Sequence, residues 1–393
     1  LPVDAAGAAT VLTLNSGSSS LKFGLYRVAD GDPVVLVSGE IETLGDRRCR
    51  VRANDGAGRR LTDATLEMAD PSDAVSRLGA LFDSANASAP TVVGHRVVHG
   101  GPNLRRHCLI DAAVLQTLEA AACFAPLHVP AALAVIRYAQ AHFPGLPQVA
   151  CFDTAFHADM PEVACTLPLP GDLRARGIQR YGFHGLSCQS IVRQLAPDIA
   201  DRVVIAHLGN GASITAVKAG RSIDTSMGLT PTGGVIMGTR TGDIDPGILL
   251  YLLRAGGLDA GALEDVIDRR SGLAGISGIN SDVRKLNAVA CKAPGARLAL
   301  EMFRISVAKQ IAGMIVALGG IDTLVFTGGI GEHDADARDG IVQRLSWCGI
   351  RLDNLHNRAG RNPLSAENGL PQVLTLPSRE DDEIARITAS LAG

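Results

Sequence analysis

Two stretches nearly half the chain apart share one plan, and that repetition constrains the fold more than anything else in the sequence. Val11 to Phe23 and Val203 to Thr215 each read as an apolar strand, a turn of glycine and small polar residues, and a second strand. The first turn carries Asn15, Gly17, Ser18 and Ser20, the second Gly209, Asn210 and Gly211. A turn of this composition exposes backbone N–H groups with no bulky side chain in the way, as a loop must to approach a phosphate. Two such turns in two similar halves point to an α/β protein that holds a nucleotide.

A chain of 393 residues with 46% hydrophobic content can bury two sizeable cores. The net charge of -3 is spread along the chain, so no field favours nucleic acid or a membrane surface. The eight cysteines form no C-x-x-C pair and no cluster with zinc spacing, and read as reduced thiols of a cytoplasmic protein. The apolar run Ile311 to Ile321 is too short to span a bilayer, and Asp4 with no basic region gives no sign of a secretory leader.

Between the repeats, Gly45 to Arg60 reads as a long turn or hairpin tip, and Ala74 to Phe82 has helical spacing. Thr91 to Gly101 is β-branched and ends in a glycine pair, so a buried strand feeds a loop there. Asp111 to Ala122 and Ala131 to Ala141 read as helices, and Val149 to Thr154 as a strand ending on a carboxylate, where ligands collect in α/β sheets. Leu298, Met302, Ile305, Ala312 and Ile315 mark a long helix stopped by Gly319-Gly320. Thr323 to Glu332 then gives a strand, a glycine turn and a helix start. His356 to Gln372 reads as a surface loop, Val373 to Leu376 as a last strand and Ile384 to Leu391 as a terminal helix.

Neither G-x-x-x-x-G-K-[ST] nor a strand-bound G-x-G-x-x-G occurs, so a nucleotide would have to use the duplicated turns. Arg96, Arg240 and His184 are the candidate positive groups. Arg240 lies in a glycine-punctuated loop, Met237 to Pro246, from which a guanidinium can grip carboxylate or phosphate oxygens in pairs. Each arginine alone is more often a surface ion pair, and His184, flanked by Gly182 and Gly185, is more often a structural histidine. His95 and His99 stand four apart, but the valines around them argue for a strand rather than a helical metal motif. Asp153 and Glu380 could serve Mg2+, which takes one or two carboxylates plus phosphate oxygens and water. Asp153 could equally cap a helix, and Glu380 to Glu383 could be a solvated helix start.

Taken together, these motifs resemble the acetate kinase family, short-chain carboxylate kinases of the actin-like ATPase superfamily. The resemblance rests on Asn15 to Lys22, Gly94 to Gly101, Ala125 to His128, Phe152 to His157, Tyr181 to Gly185, His207 to Gly211, Met237 to Arg240, Gly242 to Pro246 and Phe326 to Glu332, in family order along the chain. It implies two duplicated actin-like ATPase (ribonuclease H-like) lobes around a nucleotide cleft, 1–153 joined by a C-terminal helix at 382–393, and 154–381. It implies a homodimer that transfers phosphoryl reversibly between ATP and acetate, giving ADP and acetyl phosphate, with Mg2+ or alternatively Mn2+.

Carried over by the same resemblance, Asn15, Asp153 and Glu380 belong to the metal environment, with Asp381 the alternative to Glu380. Arg96 and Arg240 bind the carboxylate and the migrating phosphoryl group, His184 stabilises that group, and His128 stands near. Ser18, Ser20 and Lys22 match the first phosphate turn, and His207, Leu208, Gly209, Asn210 and Gly211 the second. Asp282, Val283, Arg284, Gly329, Ile330 and Gly331 match the adenosine side, with Val283 where the family has an aromatic ring. Val98, Leu127, Phe183 and Pro231 match a pocket for the acetate methyl. A propionate kinase differs by one methylene, worth about 1 to 3 kcal/mol in an apolar pocket. An actin-like ATPase module without an acceptor is the alternative of another class, and it has no use for two arginines that clamp a carboxylate.

Overall fold

The structure is a computed structural model that describes residues 8–17, 20–29, 32–43, 48–67, 75, 78–366, 369 and 371–393. The chain divides into two compact units, Leu1–Ala158 with Arg379–Gly393, and Asp159–Ser378.

The first unit is built on one sheet of eight strands. β1 (Ala9–Ser16), β2 (Ser20–Val28), β3 (Val34–Thr43), β4 (Arg48–Asp55) and β5 (Arg60–Glu67) pair antiparallel in sequence order. On the other side of β1 lie β6 (Val92–Val97) and β8 (Gln148–Phe152), both parallel to it, and the short β7 (Cys108–Leu109) closes the edge. One face of β1 to β4 buries Leu12, Leu14, Phe23, Leu25, Ile41 and Val51 in a single core. Helix Val129–His142 turns Val129, Ala132, Leu133, Ile136 and Ala139 inward at helical spacing.

β4 corrects the reading of Gly45 to Arg60 as a turn. Residues 44–47 lie outside the described residues, but Arg48–Asp55 is a full strand and the turn is confined to 56–59. Its alternation explains this: Cys49, Val51 and Ala53 are buried, while Arg50 and Arg52 face out and pair with Asp63 and Glu42 across the neighbouring strands. The helix expected over Ala74 to Phe82 is described only as Leu78–Ser84, since 74, 76 and 77 lie outside the described residues.

The second unit repeats the same strand order. β9 (Arg202–Leu208), β10 (Ala212–Lys218) and β11 (Arg221–Thr225) form an antiparallel meander, and β12 (Thr323–Thr327) and β13 (Gln372–Thr375) lie parallel to β9 on its other side. The order β11-β10-β9-β12-β13 thus matches β3-β2-β1-β6-β8 of the first unit. Helix Pro294–Leu318 buries Phe303, Val307, Ile311 and Met314 and ends at Gly319, whose φ of 70° suits a residue without Cβ. The loop expected over His356 to Gln372 begins instead inside helix Asn354–Ala359, because Asp353 caps the N–H groups of Leu355 and His356.

The terminal helix runs over Glu380–Ala392, four residues earlier than its apolar pattern predicts, and belongs to the first unit. Glu380 and Asp381 therefore sit with 1–158, where the expected division had left them with the second half. The reason is packing: a Cβ on Gly94 of β6 would lie 2.1 Å from Thr388 Oγ1 and 2.9 Å from Ile384 Cγ2, so the helix rests on bare strand backbone.

His95 and His99 do not form a metal pair. His95 Nε2 meets Gln148 Oε1 at 2.8 Å, and His99 Nδ1 accepts from the Gly101 N–H at 2.8 Å. Burial pulls the His95 imidazole down to about 4, with only Gln148 pulling the other way. A depressed folded-state value means stability is complete above the unfolded value of about 6.5 and is lost as pH falls from there towards 4. The full effect is on the order of 3 kcal/mol. Urea unfolding of wild type and His95→Asn between pH 7 and 4.5 is expected to show the steeper loss in wild type; parallel curves would remove His95 as the cause.

Candidate functional site

In the first unit, three neighbouring parallel strands deliver three polar side chains to one end of the sheet. Asn15 stands near the end of β1, Arg96 near the end of β6 and Asp153 just past β8. Arg96 forks onto Asp153, with Nε 3.1 Å from both carboxylate oxygens and Nη2 2.6 Å from Oδ2, and its Nη1 donates to Asn15 Oδ1 at 3.1 Å. Asp153 is 1% exposed and Arg96 16%, so this is a shielded, bidentate pair. Burial, with Glu380 adding to it, pushes the Asp153 carboxyl up, and Arg96 opposes that shift. Held by Asp153 on one side and by Asn15 on the other, Arg96 is a fixed cation at the sheet end.

The terminal helix adds the acidic groups. Asn15 Nδ2 donates to Asp381 Oδ1 at 3.0 Å and to Glu380 Oε2 at 3.5 Å. Burial raises the Asp381 carboxyl, and the hydrogen bond from Asn15 works against that. Lys22 stands opposite Asn15 in the β1–β2 pairing, exposed, and Ser20 opens β2. Ser18 lies outside the described residues. Val98 is buried, while Leu127 and His128 are half-buried just before helix Val129–His142. Among the described residues no three His, Cys, Asp or Glu side chains form a metal cage. A hard cation that keeps waters and phosphate oxygens needs only one or two carboxylates, which Glu380 and Asp381 beside the Asn15 amide offer.

In the second unit the site is built around two stacked histidines. His184 caps helix Gly185–Leu195 in the left-handed region, at φ 56° and ψ 27°, a strained conformation for a residue with a side chain. Its ring stacks on His207, near the end of β9, with centroids 4.2 Å apart and planes 21° from parallel. Each ring is tied through Nδ1 to a serine hydroxyl, His184 to Ser213 at 3.0 Å and His207 to Ser187 at 2.8 Å. A Cβ on Gly211 would lie 3.3 Å from His184 Nε2 and 3.5 Å from Arg240 Nη1, so both converge on the glycine turn that follows Leu208. Phe183 and Pro231 are buried nearby in sequence and by contact, and the Pro231 carbonyl accepts from Arg240 Nη1 at 3.2 Å.

Backbone bonds hold the Arg240 loop. Gly238 N donates to Asn210 O, Ser271 N to Thr239 O, and Leu273 N to Met237 O, at 2.9 to 3.1 Å. A Cβ on Gly238 would fall 2.2 Å from Asn210 Oδ1, so glycine is what lets this loop lie against the second turn.

Beside that turn is a cavity of about 670 Å³ whose walls include Gly209, Asn210, Asp282, Val283, Arg284, Gly329 and Ile330. Asp282 caps helix Val283–Val289 and pairs with Arg284 at 2.8 Å, whose hydrogen bond draws the carboxyl down to about 2. Gly331 stands behind the wall rather than in it. It is buried, and its carbonyl accepts from Arg338 Nη1 at 2.8 Å. Arg338, 2% exposed, also donates to Glu332 O and to both oxygens of Asn357, so one buried cation ties helix Gly328–His333 to helix Asn354–Ala359. That second helix supplies Arg358 to the cavity, alongside Asn287, Asp334 and Asp336. The sequence gives no sign of Arg338, because an arginine in a polar stretch reads as surface. Asn357, three residues into a helix that looks like loop, is equally silent.

The repeated strand order and the glycine turn at each β-hairpin define two duplicated lobes of the actin-like ATPase kind. The Acetokinase family pattern matches residues 10–386. The acetate kinase of Nitrobacter hamburgensis is 41% identical over 97% of this chain and 96% of its own length. Among solved structures, a propionate kinase from Francisella tularensis superposes with a TM-score of 0.91 at 37% identity, over 98% of this chain and all of that one. The acetate kinase of Porphyromonas gingivalis superposes with a TM-score of 0.87 at 34% identity, over the same shares. The chain belongs to the acetokinase family.

Proposed function

We propose that this protein is an acetate kinase that moves a phosphoryl group reversibly between ATP and acetate. The observation that carries the reading is the pair of arginines fixed by their surroundings, Arg96 by Asp153 and Asn15, and Arg240 by the loop seated on the Asn210 turn. An enzyme that only hydrolysed ATP would need no such provision for a carboxylate. Acetate is already ionised at neutral pH, so no general base is required. Its oxygen attacks the γ-phosphorus, the bond from phosphorus to the ADP oxygen breaks, and acetyl phosphate and ADP result. The protein's task is to hold two anions in line and spread the charge of a planar phosphoryl group.

The residues divide this work. Arg96 and Arg240 hold the carboxylate and the migrating group, and His184, aimed at Gly211, donates to that group in the transition state. The family resemblance assigns the methyl to Val98 and Leu127 in the first unit and to Phe183 and Pro231 in the second. Ser18, Ser20, Lys22 and the His207 to Gly211 turn take phosphates, and the cavity at Asp282 to Arg284 and Gly329 to Ile330 takes the nucleoside. Mg2+, when bound, would neutralise phosphate charge and draw the two substrates together. Glu380 and Asp381, with Asn15, fit it better than Asp153, both of whose oxygens are taken by Arg96.

The solved propionate kinase favours a second reading of the same chemistry, with propionate as acceptor. No described helix is long and apolar enough to cross a membrane. The family resemblance is the ground on which a cytoplasmic homodimer is proposed. Trapping acyl phosphate with hydroxylamine, from ATP, Mg2+ and either acetate or propionate, separates the cases. Acetate is expected to give the stronger signal. A stronger signal with propionate would change the acceptor and keep the mechanism, and none with either, despite ATP hydrolysis, would leave an ATPase without acceptor.

A further inference from the structure

We infer that Ser187, braced by Ser378, sets the tautomer of His207 so that the ring carries its proton on Nε2 and donates it towards the second glycine turn. Ser187 is a positioning residue here, acting through the His207 ring. The inference rests on the reading of that turn as a phosphate site.

The argument follows one proton along a chain of hydroxyls. The Ser378 hydroxyl donates to Ser187 Oγ at 3.0 Å, and Ser187 Oγ lies 2.8 Å from His207 Nδ1. A serine hydroxyl has a single proton to give. With Ser187 receiving from Ser378, the arrangement that also uses the Ser187 proton sends it to His207, with Nδ1 the acceptor. A neutral imidazole that accepts at Nδ1 is protonated at Nε2. Ser187 is 0% exposed and His207 8%, so water has little room to offer the ring another partner on that side.

Ser378 is itself fixed. Its backbone N–H donates to Glu332 Oε1 at 3.0 Å, and the same oxygen accepts the Gly328 N–H at 3.0 Å. The chain of bonds therefore starts on the helix that walls the nucleoside cavity and ends on the ring. Beyond the ring, a Cβ on Gly209 would lie 3.8 Å from His207 Nε2, which puts that nitrogen beside the glycine turn. An N–H there attracts a phosphate oxygen, and a lone pair there repels one. The stacked neighbour has the same anchoring, Ser213 on His184 Nδ1, with its Nε2 beside Gly211.

The test is nitrogen NMR of the protein labelled with ¹⁵N-histidine, without ligand, joined to titration with ADP. Wild-type His207 is expected to be protonated at Nε2. Ser187→Ala is expected to shift the proton towards Nδ1 and to weaken ADP binding by about 10-fold or more, the effect of one lost donor to a charged group, with the KM for acetate unchanged. Ser378→Ala, at a half-buried site, is expected to give the same shift in smaller measure and covers the case of a Ser187 variant that does not fold. A wild-type ring protonated at Nδ1, or a ring unchanged in both variants, overturns the inference. The ring is read without ligand, so a wild-type protein that bound no ADP would overturn the phosphate reading of the turn and leave the tautomer result standing.

Discussion

Arg240→Ala is expected to lower kcat by about 100-fold or more while the protein keeps its fold. A preorganised donor aimed at charge that grows in the transition state is worth roughly 3 to 4 kcal/mol, because it acts where water is excluded and needs no reorganisation. The fold should survive because the loop is held by main-chain bonds. Met237, Gly238 and Thr239 engage through backbone atoms with Asn210, Ser271, Leu273 and Ala274, and the Arg240 carbonyl accepts from the Met237 N–H. Steady-state rates beside thermal unfolding curves would separate the two effects. A variant with near-normal kcat would remove Arg240 from the mechanism, and one that unfolds would make it a structural residue.

Arg96→Ala is expected to damage both stability and turnover. Removing the guanidinium strands a carboxylate that is 1% exposed, and breaking a buried pair from one side costs roughly 3 to 5 kcal/mol. Asn15 also loses the donor to its Oδ1, which frees the amide that holds Glu380 and Asp381. The double variant Arg96→Ala, Asp153→Ala removes the stranded charge along with its partner. It is expected to recover much of the stability and none of the activity, as urea unfolding and kcat would show. An Arg96→Ala protein as stable as wild type would mean that Asp153 is neutral or has found another partner.

The parts of this molecule that could be read from the sequence are those written in short range. Each glycine turn lies between two apolar strands within about a dozen residues, so the turn chemistry and both hairpins are legible together. Asp153 could be placed at a sheet end because an apolar run stops on it. What the sequence hid depends on which distant residue arrives. Ser187 and Ser378 look like ordinary helix and loop residues, and only a separation of 191 positions closed by folding joins them to His207 in one chain of bonds. Arg338 looks like a surface cation and is buried because four carbonyl and amide oxygens replace its water.

β4 is hidden in the sequence for another reason. Its alternating arginines and small apolar residues resemble a polar turn until the neighbouring strands supply Glu42 and Asp63. The start of the terminal helix escapes the apolar pattern because its first turn is all acidic, although four carboxylates suit a helix N-terminus well. That turn is also where Glu380 and Asp381 meet Asn15, so the polar composition that obscured the helix is what the site uses.

The most direct test of the account is the reverse reaction: ADP, Mg2+ and acetyl phosphate are mixed with the protein, and ATP is read by luciferase light. The account predicts ATP formation that requires all three components and falls about 100-fold in Arg240→Ala. Nucleotide binding without any ATP, from a folded wild-type protein, would contradict it.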